Sequence, residues 1–195
     1  KPFIQWKTQK GMKVELITMD KIGSTAAELK NYVADYYKKN NNRYLLLVGD
    51  AEQIPVHFCY EITKPDPNTA YSDAEYGYIS SDEYPPSVLV GRFSAKTTED
   101  VRTQVERVIY YERDIDESAT WLENSIGIAD PSSNEKGDND ETDIQHIRTI
   151  NDILKDNNYT TYEISKKNDL VEQLDKGCGI VNYTGHGYTE SWATT

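Results

Sequence analysis

Gly177 to Trp192, GCGIVNYTGHGYTESW, is the stretch on which the reading of the fold turns. Cys178 to Tyr183 reads as a buried strand, and it ends in Gly185-His186-Gly187. In open sheets of parallel strands, ligands gather at the carboxyl ends of the strands. An imidazole between two glycines at such an end is the first candidate for chemistry, because glycine lets backbone amides approach a substrate closely.

Working outward, strands and helices alternate. Lys13 to Thr18 (KVELIT) alternates and is expected as a strand. Thr25 with Glu28 makes a capping box that opens a helix carrying Leu29, Tyr32, Val33 and Tyr36 on one face, stopped by Asn40-Asn41-Asn42. Tyr44 to Val48 (YLLLV) has the apolar run of a central parallel strand, ended by Gly49-Asp50. The residues from Ala51 to Pro86 are too long a connection for an ordinary loop and mark a functional or interface excursion, with a short strand expected at Tyr76 to Ile79. Ser87 to Phe93 (SVLVGRF) is a further buried strand, and Thr97 or Thr98 caps a helix with Val101, Val105, Val108 and Ile109 turned inward.

The polar break from Asp114 to Thr120 is expected to separate two subdomains, residues 1–114 and 115–195. Ser125 to Ala129 then forms a strand ending at Asp130. Ile144, Ile147, Ile150 or Asn151, and Leu154 describe a helix, Tyr159 to Ile164 a strand, and Asn168 to Leu174 a short helix. The pattern defines an α/β fold with a mostly parallel sheet covered on both faces.

With 195 residues the chain can bury a sizeable core. Thirty-three acidic against 21 basic residues, a formal charge of −12, argue against nucleic acid and favour a basic substrate or a cation. Cys59 and Cys178 lie far apart, in neither a CxxC pair nor a metal-ligand spacing. No apolar run is long enough to span a membrane. Lys1 to Lys7 begins as if inside a helix and the chain stops soon after His186, so a piece of a longer protein is expected.

Asp50, Asp130 and His186 all close strands, so Asp130 could supply the carboxylate that holds His186 in one tautomer and leaves its other nitrogen for a nucleophile. The competing structural reading is that single residues at strand ends merely cap or are solvated. His57 and His146 have no comparable flanks, and His146 reads as a partly buried helix residue. The acidic run Asp138 to Asp143 is not an EF-hand, because Asp143 stands where the loop glycine belongs. It is either an acidic helix start, with Thr142 or Asp143 as cap, or an anionic pocket for a guanidinium near His186.

Six segments in series resemble one family: Ile4-Gln5-Trp6-Lys7, Leu47-Val48-Gly49-Asp50, Val90-Gly91-Arg92-Phe93-Ser94, Tyr110-Tyr111-Glu112-Arg113, Glu141-Thr142-Asp143-Ile144-Gln145-His146 and Asn182-Tyr183-Thr184-Gly185-His186-Gly187. They look like the gingipains, secreted cysteine endopeptidases of bacteria, and closer to the arginine-specific branch than to the lysine-specific one. The resemblance implies a caspase-like, three-layer α/β/α fold in two adjacent subdomains, the second incomplete. It implies His186 as the catalytic histidine, Gly187 N–H as an oxyanion donor and Asp130 at the end of the strand that carries the acidic partner.

Asp143 would form the base of a pocket for Arg at P1, with Trp192 as a second substrate-binding residue. Asp50 matches a ligand of structural calcium, although no cofactor is required by the chemistry. The family's other calcium set is reduced here, since Ser81, Glu83 and Ser87 keep one acid. The nucleophilic cysteine of the family follows the histidine on the next strand, so neither Cys59 nor Cys178 is assigned that role. The implied partners are a protein or peptide substrate, the remaining C-terminal part of the protein and a propeptide, without nucleic acid or a membrane span. The rival from another class is a catalytically silent gingipain-like module that binds peptides or proteins. A flavodoxin-like nucleotide-binding domain lacks the glycine-rich phosphate loop it would need.

Overall fold

Thr25 and Glu28 form the expected reciprocal cap: the Glu28 N–H donates to Thr25 Oγ1 at 3.2 Å and the Thr25 N–H to Glu28 Oε2 at 3.0 Å. They open α2 (Ala26–Asn40), which follows an N-terminal α1 (Pro2–Gln9). The computed structural model describes residues 1–57, 71–80, 85–137, 139–188 and 191–193. It divides into two units, Lys1–Ile115 and Asp116–Thr195.

In the first unit β1 (Tyr44–Val48) pairs in parallel with β2 (Leu89–Phe93), from Tyr44 opposite Leu89 to Val48 opposite Phe93. Leu29 and Val33 of α2 pack with Leu47 of β1 and with Tyr76, as the periodic apolar face requires. Thr97 caps α3 (Thr98–Ile109) through Asp100, and the helix widens into a π turn over Tyr110–Asp114.

Two expected strands are absent from the described residues. Lys13 to Thr18 joins no ladder, and Leu16 is 71% exposed, so its alternation is not used to bury a face. Tyr76 to Ile79 is not a strand either: Asp73–Gly77 is a 3₁₀ turn. Tyr76 is fully buried and donates its hydroxyl to Pro55 C=O at 2.6 Å, while Arg92 of β2 makes a two-pronged pair with Asp73 at 2.7 and 2.8 Å. These side-chain anchors hold the turn where a ladder would have held a strand. Cys59 and the stretches 58–70 and 81–84 of the long excursion lie outside the described residues.

Glu112, in the π turn, fastens α1. Its carboxylate accepts from Trp6 Nε1 at 2.9 Å, Lys7 Nζ at 2.5 Å and Lys10 Nζ at 3.0 Å. Burial alone would raise its pKa, but these three donors outweigh burial and hold the carboxyl down at about 2, against an ordinary 4.5.

In the second unit three parallel strands lie in the order β4 (Thr160–Ile164), β3 (Asn124–Ile128), β5 (Ile180–Tyr183). Side chains alternate across β3. Ile126 and Ile128 pack with Ile164 and with Leu170 of α5 (Lys167–Asp175), joined by Tyr162, Cys178 and Tyr183. On the opposite face Ala129 packs with Ile144 and Ile147 of α4 (Asp143–Asp156). The sheet is therefore covered by a helix on each face. Cys178 is part of this core, and burial pushes its thiol pKa up.

Gly127, between Ile126 and Ile128, sets how closely α4 approaches. A Cβ there would stand 2.4 Å from Ile147 Cγ2 and 3.1 Å from Asn151 Oδ1. Gly127→Ala should cost about 1–3 kcal/mol of stability through overpacking, read as a lower urea midpoint. Glu112→Gln should cost a similar amount, about 1–3 kcal/mol, at pH 7. Because the folded carboxyl lies below its unfolded value, that contribution is complete above roughly pH 4.5 and fades as the pH falls towards 2. The gap between wild type and Glu112→Gln should accordingly narrow in urea titrations repeated at pH 3.

Candidate active site

β5 delivers its histidine through a short, well-tied exit. Thr184 N–H donates to Ile128 C=O at 3.0 Å, continuing the ladder, and Gly185 then takes φ +149°, a conformation that L-residues rarely adopt. His186 follows, with its side chain 75% exposed. Its Nε2 lies 2.8 Å from Glu135 Oε2.

Glu135 sits on the loop between β3 and α4 and is the carboxylate at the histidine. Asp130, expected in that role, is turned elsewhere: its Oδ1 accepts from the Ser132 N–H at 2.8 Å and from Ser132 Oγ at 2.6 Å. These two bonds hold its carboxyl below the usual range. The physical reason is local, since a short acid at a strand end folds back onto the N–H two residues ahead. Asp130 thereby shapes the loop from which Glu135 reaches His186. Nothing in the sequence spacing marks Glu135, which meets a residue 51 positions away.

Asp143 is the first residue of α4, after Thr142 as N-cap, whose N–H donates to Gln145 Oε1 at 2.8 Å. It lines a cavity of 270 Å³ with Gly137, Asn139, Glu141, Thr142, His146 and Thr184. His146 is held by Glu141, with Nδ1 to Oε1 at 2.6 Å. Thr184, two residues before His186, brings the β5 exit to this pocket, so Asp143 and the histidine segment share one neighbourhood. A half-buried carboxylate at a helix start, with a second acid in the same wall, suits a cation.

After His186 the chain folds back. Gly187 and Trp192 form an antiparallel bridge, and the Trp192 ring stacks on Tyr183 with centroids 4.8 Å apart and planes 11° from parallel. In the first unit, Asp50 caps the end of β1: its Oδ1 accepts from the Ala51 N–H at 2.9 Å and from Ser94 Oγ at 3.2 Å. The Ala51 bond is the main cause holding its carboxyl down. Calcium takes about six to eight oxygens. Around Asp50 the described residues bring one carboxylate and the Lys96 ammonium at 3.8 Å, which do not make such a cage. Ser81 and Glu83 lie outside the described residues.

These features, a histidine–carboxylate pair and an acidic pocket at the carboxyl ends of parallel strands, define the class as an α/β protein with its candidate site at the exit of β5. The comparison with known proteins narrows this further. The model of peptidase family C25 matches residues 1–195. The chain belongs to this family of gingipain-like cysteine peptidases.

Among its relatives, Gingipain R2 of Porphyromonas gingivalis is 35% identical over 100% of this chain and 27% of its own length. The crystal structure of the Arg-specific cysteine proteinase gingipain R superimposes with a TM-score of 0.84 at 35% identity, over 100% of this chain and 45% of that one. A complex of the pro- and mature domains of RgpB from the same organism gives 0.85 at 33% identity, over 99% of this chain and 46% of that one. The caspase-like α/β fold implied by the sequence resemblance is thus the fold of the chain. The chain spans about a quarter of the length of the first relative and under half of the solved chains it matches. No described helix is long and apolar enough to cross a membrane.

Proposed function

We propose that this chain is part of a secreted bacterial cysteine endopeptidase that cleaves after arginine, with His186 as general acid/base and Glu135 as the carboxylate that orients it. The observation that carries this reading is the 2.8 Å pair between His186 and Glu135, on the exit of β5 that also walls the Asp143 pocket. The arginine specificity of gingipain R supports arginine as the P1 residue.

The chemistry follows from the residues. A thiolate attacks the carbonyl after P1, and the oxyanion accepts from the Gly187 N–H. His186 protonates the departing amine, and water then hydrolyses the thioester. Glu135 holds the ring in orientation through its contact with Nε2. Cys178 is not the nucleophile in this reading: it packs against the cluster of Ile126, Ile128, Ile164 and Leu170 and burial raises its thiol pKa, the opposite of what an attacking thiolate needs. A P1 guanidinium would pair with Asp143, and a neutral side chain would leave that carboxylate without its partner. The pro- and mature-domain complex of a relative supports a propeptide as a further partner of the whole protein.

In the full-length protein, His186→Ala should lower kcat by about 10²–10⁴-fold. Glu135→Gln should lower it about tenfold or more, whereas Asp130→Asn stays within about twofold. A drop in Asp130→Asn with Glu135→Gln intact would reverse that assignment. Asp143→Asn should reduce kcat/KM for arginyl substrates by about 10²–10³-fold while thermal unfolding stays unchanged. If the full-length protein cleaves no peptide before or after alkylation of its thiols yet still binds arginyl peptides, the chain is instead part of a silent binding module.

A further inference from the structure

We propose that Tyr183 and Trp192 are positioning residues that set His186 and the Gly187 N–H as one unit, and that Trp192 serves the site in this way rather than as a wall for substrate. The proposal rests on the reading of His186 as general acid/base.

The His186 carbonyl receives two donors, Tyr183 Oη at 2.5 Å and the Ala193 N–H at 2.9 Å. Tyr188 N–H donates to Ser191 C=O at 2.7 Å. Together with the Ala193 bond, this is the pattern of a non-hydrogen-bonded antiparallel pair at Gly187 and Trp192, bracketed by its neighbours' bonds. In such a pair the central residues' own N–H and C=O groups point away from the ladder. The Gly187 amide is therefore turned outward by the pairing itself, and a Cβ added at Gly187 would meet nothing within 4 Å. That is the condition for an amide to meet a substrate oxygen.

The fold-back is held by ring contact. Tyr183 belongs to β5 and packs with the core cluster of Ile126, Ile128, Ile164 and Leu170. Its ring is thus fixed by the sheet, and Trp192 stacks on it at 4.8 Å. The Tyr183 side chain serves two ends: its face seats Trp192, and its hydroxyl fixes the backbone of His186. The imidazole is 75% exposed and gains little from packing, so its placement depends on this backbone control and on Glu135. An offset stack contributes about 0.5–1.5 kcal/mol beyond area burial, enough to bias a short loop towards one conformation.

The test uses the full-length protein with an arginyl peptide amide as substrate. Tyr183→Phe keeps the stack and removes the hydroxyl, Trp192→Ala removes the stack, and Trp192→Tyr restores an aromatic ring. Two inhibitors separate positioning from pocket effects. Benzamidine needs only the P1 pocket. A peptidyl argininal needs the oxyanion donor as well: the thiolate adds to the aldehyde carbon, the carbonyl π pair passes to oxygen, and a proton from solvent neutralises it.

Expected are losses in kcat of about tenfold for Tyr183→Phe and about a hundredfold for Trp192→Ala, with KM and benzamidine inhibition within about twofold and argininal inhibition weakened in step with kcat. Trp192→Tyr should recover most of the loss. An unchanged kcat in Tyr183→Phe overturns the proposal, as does a Trp192→Ala enzyme with intact kcat and raised KM and benzamidine Ki. Should Trp192→Ala fail to fold, Tyr183→Phe and Trp192→Tyr decide the question by the same readouts. His186→Ala, run alongside, separates the two readings: retained activity there removes the underlying assignment, whereas its loss with both positioning variants intact removes this proposal alone.

Discussion

The second unit depends on one close approach, α4 lying against β3 over Gly127. With no Cβ in the way, Ile147 and Asn151 descend onto the strand, and Ala129, Ile144 and Ile147 close one face of the sheet. That approach carries the first residue of α4, Asp143, down to the exit of β5, where Thr184 completes the wall of its pocket. Parallel pairing of β3 with β5 then places His186 one short turn away. A single methyl group at Gly127 would move the element that bears the pocket relative to the strand that bears the histidine.

The carboxylates near this exit divide the work by what their immediate neighbours offer. Asp130 has Ser132 within reach and spends its charge on the turn. Glu135 has a longer side chain and reaches the imidazole. Glu141 is taken by His146, and Asp143 lines the cavity at a helix start, where the macrodipole favours a negative charge. The strongly acidic composition is thus no diffuse property. Here it is spent in turns, caps and one pocket.

The first unit shows the same economy with cations. Glu112 collects Trp6, Lys7 and Lys10, and Arg92 ties Asp73 to the carbonyls of Gly49 and Ile54 at 2.8 and 3.1 Å. Partly buried charges that find several partners fix irregular segments that no ladder holds. The 3₁₀ turn at Asp73–Gly77 is one such segment, and it stands where a strand was expected at Tyr76 to Ile79.

What the sequence by itself determined is local and periodic. The Thr25–Glu28 cap, a threonine cap at Thr97 or Thr98, the apolar run of β1 and the Gly-His-Gly exit all follow from neighbours in the chain, and the family resemblance from six short segments in order. Only the tertiary structure decided which carboxylate meets His186, that Trp192 rests on Tyr183, and that Lys13 to Thr18 joins no strand ladder among the described residues. Those outcomes depend on contacts between residues distant in the chain, or on the competition of a nearer hydrogen-bond donor, as at Asp130. Periodicity carries information about which face is buried, but none about which of several acids a loop will bring to an imidazole.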